Sequence, residues 1–213
     1  MTQDPPTETT PPQDPPLQDL SAVDWPVRSA RLTIRPMVAA DVEPLWQYRR
    51  IPSMWEWIGH DFSSFERFDE KMSSPGSLAR TLVLELDGRP VGDLYLNISD
   101  AWAQSDVADQ AKDVQAEIGW AIDPAYAGQG LATEAAAELL RICFEDLGLR
   151  RVKALCFADN VPSWRLMERI GMRREEYAVQ DSLHRTKGWL DGMTYAVLAD
   201  EWRDQQISAE PPA

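Results

Sequence analysis

The segment from Glu117 to Leu147 constrains the fold more than any other, because a glycine-containing turn separates a strand-like run from a long amphipathic helix. Glu117-Ile118-Gly119-Trp120-Ala121-Ile122 reads as a mostly buried strand. Downstream, Leu131, Ala135, Leu139, Ile142, Cys143 and Leu147 recur at helical spacing, which predicts a helix over 129–147. Between the two runs Tyr126-Ala127-Gly128-Gln129-Gly130-Leu131-Ala132-Thr133-Glu134. Lacking side chains, Gly128 and Gly130 let backbone N–H groups converge at the helix start, where the helix dipole adds positive potential. The dipole alone contributes roughly 0.3 to 1 kcal/mol, and up to about 2 when partly buried. Holding an anion there, such as a phosphate, therefore needs several amides acting together.

The remaining pattern reads as a single mixed α/β domain. Strands are expected at 31–36, 80–86, 90–97, 115–122, 151–157, 173–180 and 192–199, and helices near 40–50, 63–73, 129–147 and 161–170. Leu82 to Leu86 and Pro90 to Leu96 flank Asp87-Gly88, two residues that tolerate the positive φ of a tight hairpin. There is no internal repeat. Residues 1–24, with Pro5-Pro6, Pro11-Pro12 and Pro15-Pro16 among polar residues, read as an extended, disordered tail. The folded domain is expected over 25–205, followed by a flexible tail at 206–213. A basic start, an apolar signal core and a long apolar run are all missing from the sequence, which points to a cytosolic protein outside the membrane.

Charge and side-chain chemistry narrow the function. Net charge is −14, and residues 1–24 supply five carboxylates with no Lys or Arg, leaving −9 on the remainder. Such a chain is a poor nucleic-acid ligand and attracts cationic partners, although acidity also serves solubility. Cys143 and Cys156 fall on apolar faces and read as packing residues. His60 and His184 belong to no metal-ligand spacing, so no metal is assigned. The acidic loop from Ser99 to Gln115 reads either as a solvated excursion or as a flap over a substrate entrance. Trp55 and Trp57 are either core residues or an aromatic wall, with at least one expected to pack inward.

Two motifs in order carry a resemblance to a family. Ala127-Gly128-Gln129-Gly130-Leu131-Ala132 resembles motif A of the GNAT acyltransferases, Gln/Arg-x-x-Gly-x-Gly/Ala, with Ala127 replacing the leading Gln/Arg. Further on, Asn160-Val161-Pro162-Ser163 followed by Gly171-Met172 is similar to that family's Asn-x-x-Ser segment ending in Gly-Phe/Met. Leu32 to Pro36 opens the matching region, which spans roughly 28 to 203, and Asp41 suits the start of the family's first helix. The branch resembled most is that of the ribosomal-protein N-terminal acetyltransferases.

The resemblance implies a fold, a cosubstrate and a set of residues. The fold would be α+β, a mostly antiparallel sheet of about six to seven strands flanked by about four helices. Acetyl-CoA, or another short acyl-CoA, would bind with its pyrophosphate on Gly128, Gln129, Gly130, Leu131, Ala132 and Thr133. Ile122 would meet the pantetheine, and Asn160 and Ser163 would lie near that arm and the adenosine phosphates, with helix capping as the plainer role for Asn160. Glu117 is the candidate base, with simple solvation as its alternative. The family's usual proton donor, a Tyr seven residues after the Asn, is Met167 here, leaving Tyr126, Tyr177 and Tyr195 as conceivable substitutes. The acceptor would be a primary amine on a protein N-terminus or a small cationic molecule. Family members often dimerise, so a homodimer is a candidate state, although no interface is legible. Two other classes compete: a CoA-binding sensor without catalysis, suggested by Met167 and Ala127, and a dinucleotide enzyme, opposed by Thr133 at the third glycine position.

Overall fold

The computed structural model describes residues 18–209 apart from Asp61. Its strands are β1 (Val27–Arg28), β2 (Thr33–Pro36), β3 (Thr81–Leu86), β4 (Arg89–Ser99), β5 (Gln115–Ile122), β6 (Arg151–Phe157), β7 (Arg173–His184) and β8 (Gly188–Leu198). They form one sheet in the order β1-β2-β3-β4-β5-β6-β8-β7. Every neighbouring pair is antiparallel except β5 and β6. The helices are α1 (Val42–Arg49), α2 (Pro52–Trp55), α3 (Phe65–Met72), α4 (Pro75–Arg80), α5 (Leu131–Arg141), α6 (Val161–Arg169) and α7 (Ala199–Ala209). The mixed class is as expected, with eight strands instead of six to seven. A sheet with a single parallel pair is not the doubly wound parallel sheet of a dinucleotide enzyme, which removes that alternative.

Alternation along the strands divides the side chains between two cores. Leu82, Leu84, Leu94, Leu96, Ile118, Val152 and Ala154 pack with Leu131, Ala135, Leu139 and Leu140 of α5 and with Leu166 and Met167 of α6. Val83, on the opposite face, packs with Val42, Leu45 and Tyr48 of α1, Phe62, and Phe68 and Met72 of α3. Each fully buried aliphatic side chain contributes about 1.5–3 kcal/mol, so both helical layers are firmly tied to the sheet. Asp41 joins β2 to α1 by accepting from both terminal nitrogens of Arg35 at 2.7 Å and from the Val38 N–H at 2.8 Å.

The elements missed in the sequence had little periodicity to reveal them. Strand β1 has only two residues, α2 is a four-residue turn opened by Pro52, and α4 begins with the turn-like Pro75-Gly76. Helix α7 buries Ala199 and Trp202 and is otherwise largely exposed, so it lacks an apolar stripe. That helix reaches Ala209, which corrects the expectation of a flexible tail from 206. The long helix expected over 129–147 is α5 followed by a wider π-type turn at Ile142–Asp146. At the other end, Val23 is buried, and the Gln18 side chain donates to the Ala79 carbonyl at 2.8 Å and accepts from the Ile98 N–H at 2.9 Å. Residues 18–24 are therefore anchored to the fold at Gln18 and Val23, unlike the tail read from the sequence; positions 1–17 and 210–213 lie outside the described residues.

Candidate active site

Strands β5 and β6 pair only from Gln115↔Arg151 to Glu117↔Lys153 and then separate. Their divergence leaves the later part of β5 unpaired on its β6 side, and it opens a cleft of about 1410 Å³. The two edges carry the backbone donors and acceptors that an extended ligand arm can pair with, in the manner of strand addition. Glu117 stands at the vertex. Ile122 lies at the far end of β5 and lines the same cleft.

The glycine turn closes that far end. Gly128 and Gly130 have φ of +75° and +77°, the left-handed region that other residues occupy only with strain. A Cβ on Gly128 would meet nothing within 4 Å, so conformation rather than crowding calls for glycine there. No side chain caps α5, and its first amides are open towards an anion. Gly128, Gly130, Leu131, Ala132 and Thr133 all line the cleft. Gln129 is not among the lining residues; its carbonyl accepts from Arg31 Nη1 at 2.9 Å, which fixes the outside of the turn.

Arg31 also binds Glu134 in the first turn of α5, through its backbone N–H at 2.7 Å and Nε at 2.6 Å, and the Ser29 hydroxyl donates to the same carboxylate at 2.7 Å. Burial alone would raise the Glu134 pKa. The Ser29 and Arg31 hydrogen bonds outweigh it and hold the carboxyl below the usual carboxylate range. An acidic side chain beside an anion-binding turn is thus neutralised from outside, by residues the motif does not contain.

On α6, Asn160 occupies the N-cap position, yet its side chain makes no capping hydrogen bond. The plainer role considered for it is not realised, and both Asn160 and Ser163 line the cleft. Met167, in the place of the family's tyrosine, is buried and also lines it. Of the substitutes for that tyrosine, Tyr126 lines the cleft. Tyr177 instead donates to Asp191 at 2.5 Å and Tyr195 to Glu168 at 3.1 Å, and neither borders the cleft.

Tyr95 on β4 was missed because nothing local marks it. Register places it opposite Gly119, two residues along from the Asn97↔Glu117 pair, so Tyr95 and Glu117 share one face of the sheet. Burial first, and then the negative charge of Glu117, push the Tyr95 phenol above its ordinary range against the opposing pull of Arg80. The phenol therefore keeps its proton. Lys153 Nζ lies 3.3 Å from Glu117 Oε2 and orients the carboxylate.

Helices α1 to α4 and the segment 57–60 wall the other half of the cleft, and the β7–β8 hairpin tip holds that segment from behind. Trp55 packs against the α1/α3 core and donates its indole N–H to the Arg49 carbonyl, whereas Trp57 lines the cleft and is backed by the rings of Phe157 and His184 at 5.8 and 5.3 Å. The pair thus divides between core and wall. His184 Nδ1 lies 3.2 Å from the Thr186 and Lys187 N–H groups, which makes it the acceptor and leaves Nε2 to donate to the Glu56 carbonyl at 2.7 Å. Arg185 bonds the Ile58 and His60 carbonyls at 2.6 and 3.1 Å, and Lys187 lies 4.2 Å over the Trp57 ring. A clasp from one end of the chain thereby fixes the loop from the other. The acidic segment 100–114 contributes no lining residue; it folds on itself through Ala101–Ala111 and Asp113–Asp100 hydrogen bonds, so the flap reading does not hold.

Cys143 is fully buried, and burial raises its pKa far above that of a free thiol. Cys156 is half-buried at the cleft, with its thiol pushed up to about 11 by burial. Neither thiol is an activated nucleophile. Among the described residues no cluster of His, Cys, Asp or Glu is arranged to hold a metal, and no helix is long and apolar enough to cross a membrane.

Residues 31–173 match the acetyltransferase (GNAT) domain family. The chain is 41% identical over 86 residues to the uncharacterized N-acetyltransferase YnaD of Bacillus subtilis, a match covering 40% of this chain and 50% of YnaD. Thus the chain spans about half the length of the curated relatives it matches first. Among solved structures, a GNAT-family acetyltransferase from Bacillus anthracis superposes with a TM-score of 0.69 at 28% identity, covering 82% of this chain and 98% of that one. RimJ of Mycobacterium smegmatis, determined with a CoA disulfide, shares the fold with a TM-score of 0.66 at 23% identity over 87% of this chain and 95% of its own. With its splayed strands and uncapped glycine turn in one cleft, and the family match across both, this chain belongs to the GNAT acetyltransferase family.

Proposed function

We infer that the protein is an N-acetyltransferase that moves an acetyl group from acetyl-CoA to a primary amine by direct attack in a ternary complex. The observation that carries this reading is the convergence on one cleft of three features: the glycine turn, the β5/β6 divergence and Glu117 at its vertex. As substrate, acetyl-CoA supplies a thioester carbonyl. The amides at Gly128 to Thr133 hold its pyrophosphate, the edges of β5 and β6 flank the pantetheine, and Asn160 and Ser163 bind from α6.

Positioning does most of the work, since holding two reactants in register supplies roughly 7 to 11 kcal/mol of the barrier. Glu117, directly or through one water, accepts the proton that the attacking amine loses. Tyr95, which keeps its proton and shares the face with Glu117, returns one to the departing thiolate, the task that Met167 cannot perform. An α-amine of pKa near 8 costs only about 1 kcal/mol to deprotonate at pH 7, against about 4 to 5 for lysine. A peptide N-terminus or a small molecule with a similarly weak amine is therefore the favoured acceptor class.

Labelled acetyl-CoA incubated with a panel of peptides and small amines tests the reading. Amine-dependent label transfer is expected. Tight acetyl-CoA binding with no transfer to any amine would instead favour a CoA-binding sensor.

A further inference from the structure

Opposite the glycine turn, the acceptor half of the cleft contains a buried polar unit that no step above uses. Asp93 of β4 and Arg49 of α1 are 4% and 8% exposed, and both line the cleft. Asp93 accepts from the Tyr48 hydroxyl at 2.5 Å, from Arg49 Nε at 2.9 Å and from Arg49 Nη2. That leaves Arg49 Nη1, which is buried and has no hydrogen-bond partner among the described residues. A buried donor on a charged group without a partner is costly, and such groups in native proteins call for an explanation.

The charges around it have the opposite sign to the protein as a whole. Among the described residues on the acceptor side of the cleft, Arg49, Lys71 and Arg80 face only Asp93 and Glu117 as carboxylates. Arg49 satisfies Asp93, and Lys153 pairs with Glu117. Arg80 spends its hydrogen bonds on neutral oxygens, the Asn97 side chain at 2.6 Å and the Gly76 carbonyl at 3.3 Å. Lys71 stands exposed at the rim. His60 responds to this field: burial first, then the charges of Lys71 and Arg49, push its pKa below the ordinary histidine value. In a chain of net charge −14, a recess with surplus positive charge is a local reversal.

We propose that the acceptor amine carries a carboxylate, which enters this recess and takes the hydrogen bond that Arg49 Nη1 lacks, with Lys71 and Arg80 attracting it from the rim. The inference rests on the acetyltransferase reading and narrows its substrate class. A cationic acceptor, expected from net charge alone, would meet the wrong sign of potential at this wall. The carboxylate can belong to an acidic residue next to a peptide N-terminus or to a free amino acid, and both present the same planar group to the guanidinium.

Matched acceptors test it on the full chain saturated with acetyl-CoA: peptides with Asp or Asn at the second position, and amino acids against their amides. Each acid is expected to exceed its neutral partner in kcat/KM by about 10- to 100-fold, the worth of one hydrogen bond to a charged group. Preference among the peptides alone, or among the free amino acids alone, identifies the source. Lys71→Gln and Arg80→Gln, which leave the buried Arg49–Asp93 pair intact, are expected to shrink the ratio several-fold with acetyl-CoA affinity unchanged. Equal handling of acids and amides, or variants that slow both alike, would overturn the inference. Calorimetric binding of the same pairs to the CoA-saturated protein separates the two readings. Without turnover, a preference for the acid sustains the recess and counts against the transferase, whereas equal binding removes the recess.

Discussion

The two halves of the cleft are built by different means. The half assigned to acetyl-CoA is made of backbone: two left-handed glycines, the uncapped start of α5 and the edges of two strands that stop pairing. In the acceptor half side chains do the work, with Arg49 from α1, Lys71 from α3, Arg80 from α4 and Tyr95 and Asp93 from β4, while the His184–Lys187 clasp of the β7–β8 turn holds the lining segment 57–60 from behind. A backbone site needs few residue identities and recognises what all acyl-CoA molecules share. A side-chain site changes with each substitution and can discriminate among amines. The comparison holds only if the halves can be damaged separately.

Glu117→Gln should produce the largest effect, a fall in kcat of about 10²- to 10⁴-fold, with acetyl-CoA affinity retained. Steady-state kinetics beside equilibrium binding decide this; a loss of affinity equal to the loss of rate would mean that the vertex belongs to the CoA half. Gly130→Val is the converse. Forcing a β-branched residue to φ +77° costs of order 1–3 kcal/mol, so acetyl-CoA binding should weaken by roughly 10- to 100-fold with acceptor KM little changed. Arg185→Ala removes the bonds to the Ile58 and His60 carbonyls. Acceptor KM should rise several-fold while the acetyl-CoA dissociation constant stays put, which would locate the clasp in the acceptor half.

The smallest effect concerns the buttress under the glycine turn. Glu134 is held below its ordinary pKa in the folded chain, so it adds stability that is present in full above the unfolded value near 4.3 and is lost as pH falls through the folded value. Because Arg31 is partly exposed, the contribution is about 1 kcal/mol. Unfolding midpoints for wild type and Glu134→Gln should differ by a constant amount from pH 7 to about 5 and converge below about pH 4. A difference that persists unchanged at low pH would assign Glu134 a packing role instead.

What the sequence disclosed follows the same division. Strand, turn and helix from Glu117 to Arg141 lie in one continuous segment, so periodicity and two glycines were enough to place them. Asn160 and Ser163 were singled out by the resemblance of a second continuous segment to the family's Asn-x-x-Ser pattern, not by periodicity. Tyr95 was not, because its partnership with Glu117 comes from β4–β5 register rather than from spacing along the chain. Arg49 and Asp93 are 44 positions apart, and only the meeting of α1 with β4 joins them. A signal was nevertheless present: Asp93 interrupts the apolar run from Val91 to Leu96, and a carboxylate in a buried strand implies a buried partner. The clasp gave no such hint. His184 meets Glu56 across 128 positions, through a backbone carbonyl that no residue type encodes.

Thermal unfolding with and without acetyl-CoA, with NAD and ATP as controls, tests most directly whether the glycine turn and the divergent strands hold this cosubstrate. At about 100 times its dissociation constant a ligand adds roughly 2.7 kcal/mol, which for a domain of this size raises the midpoint by about 5–10 °C. The expected result is a shift of that size with acetyl-CoA, none with NAD or ATP, and a much smaller one in Gly130→Val. An unmoved midpoint with acetyl-CoA, or an equal shift with all three ligands, would contradict the assignment of the cleft to an acyl-CoA.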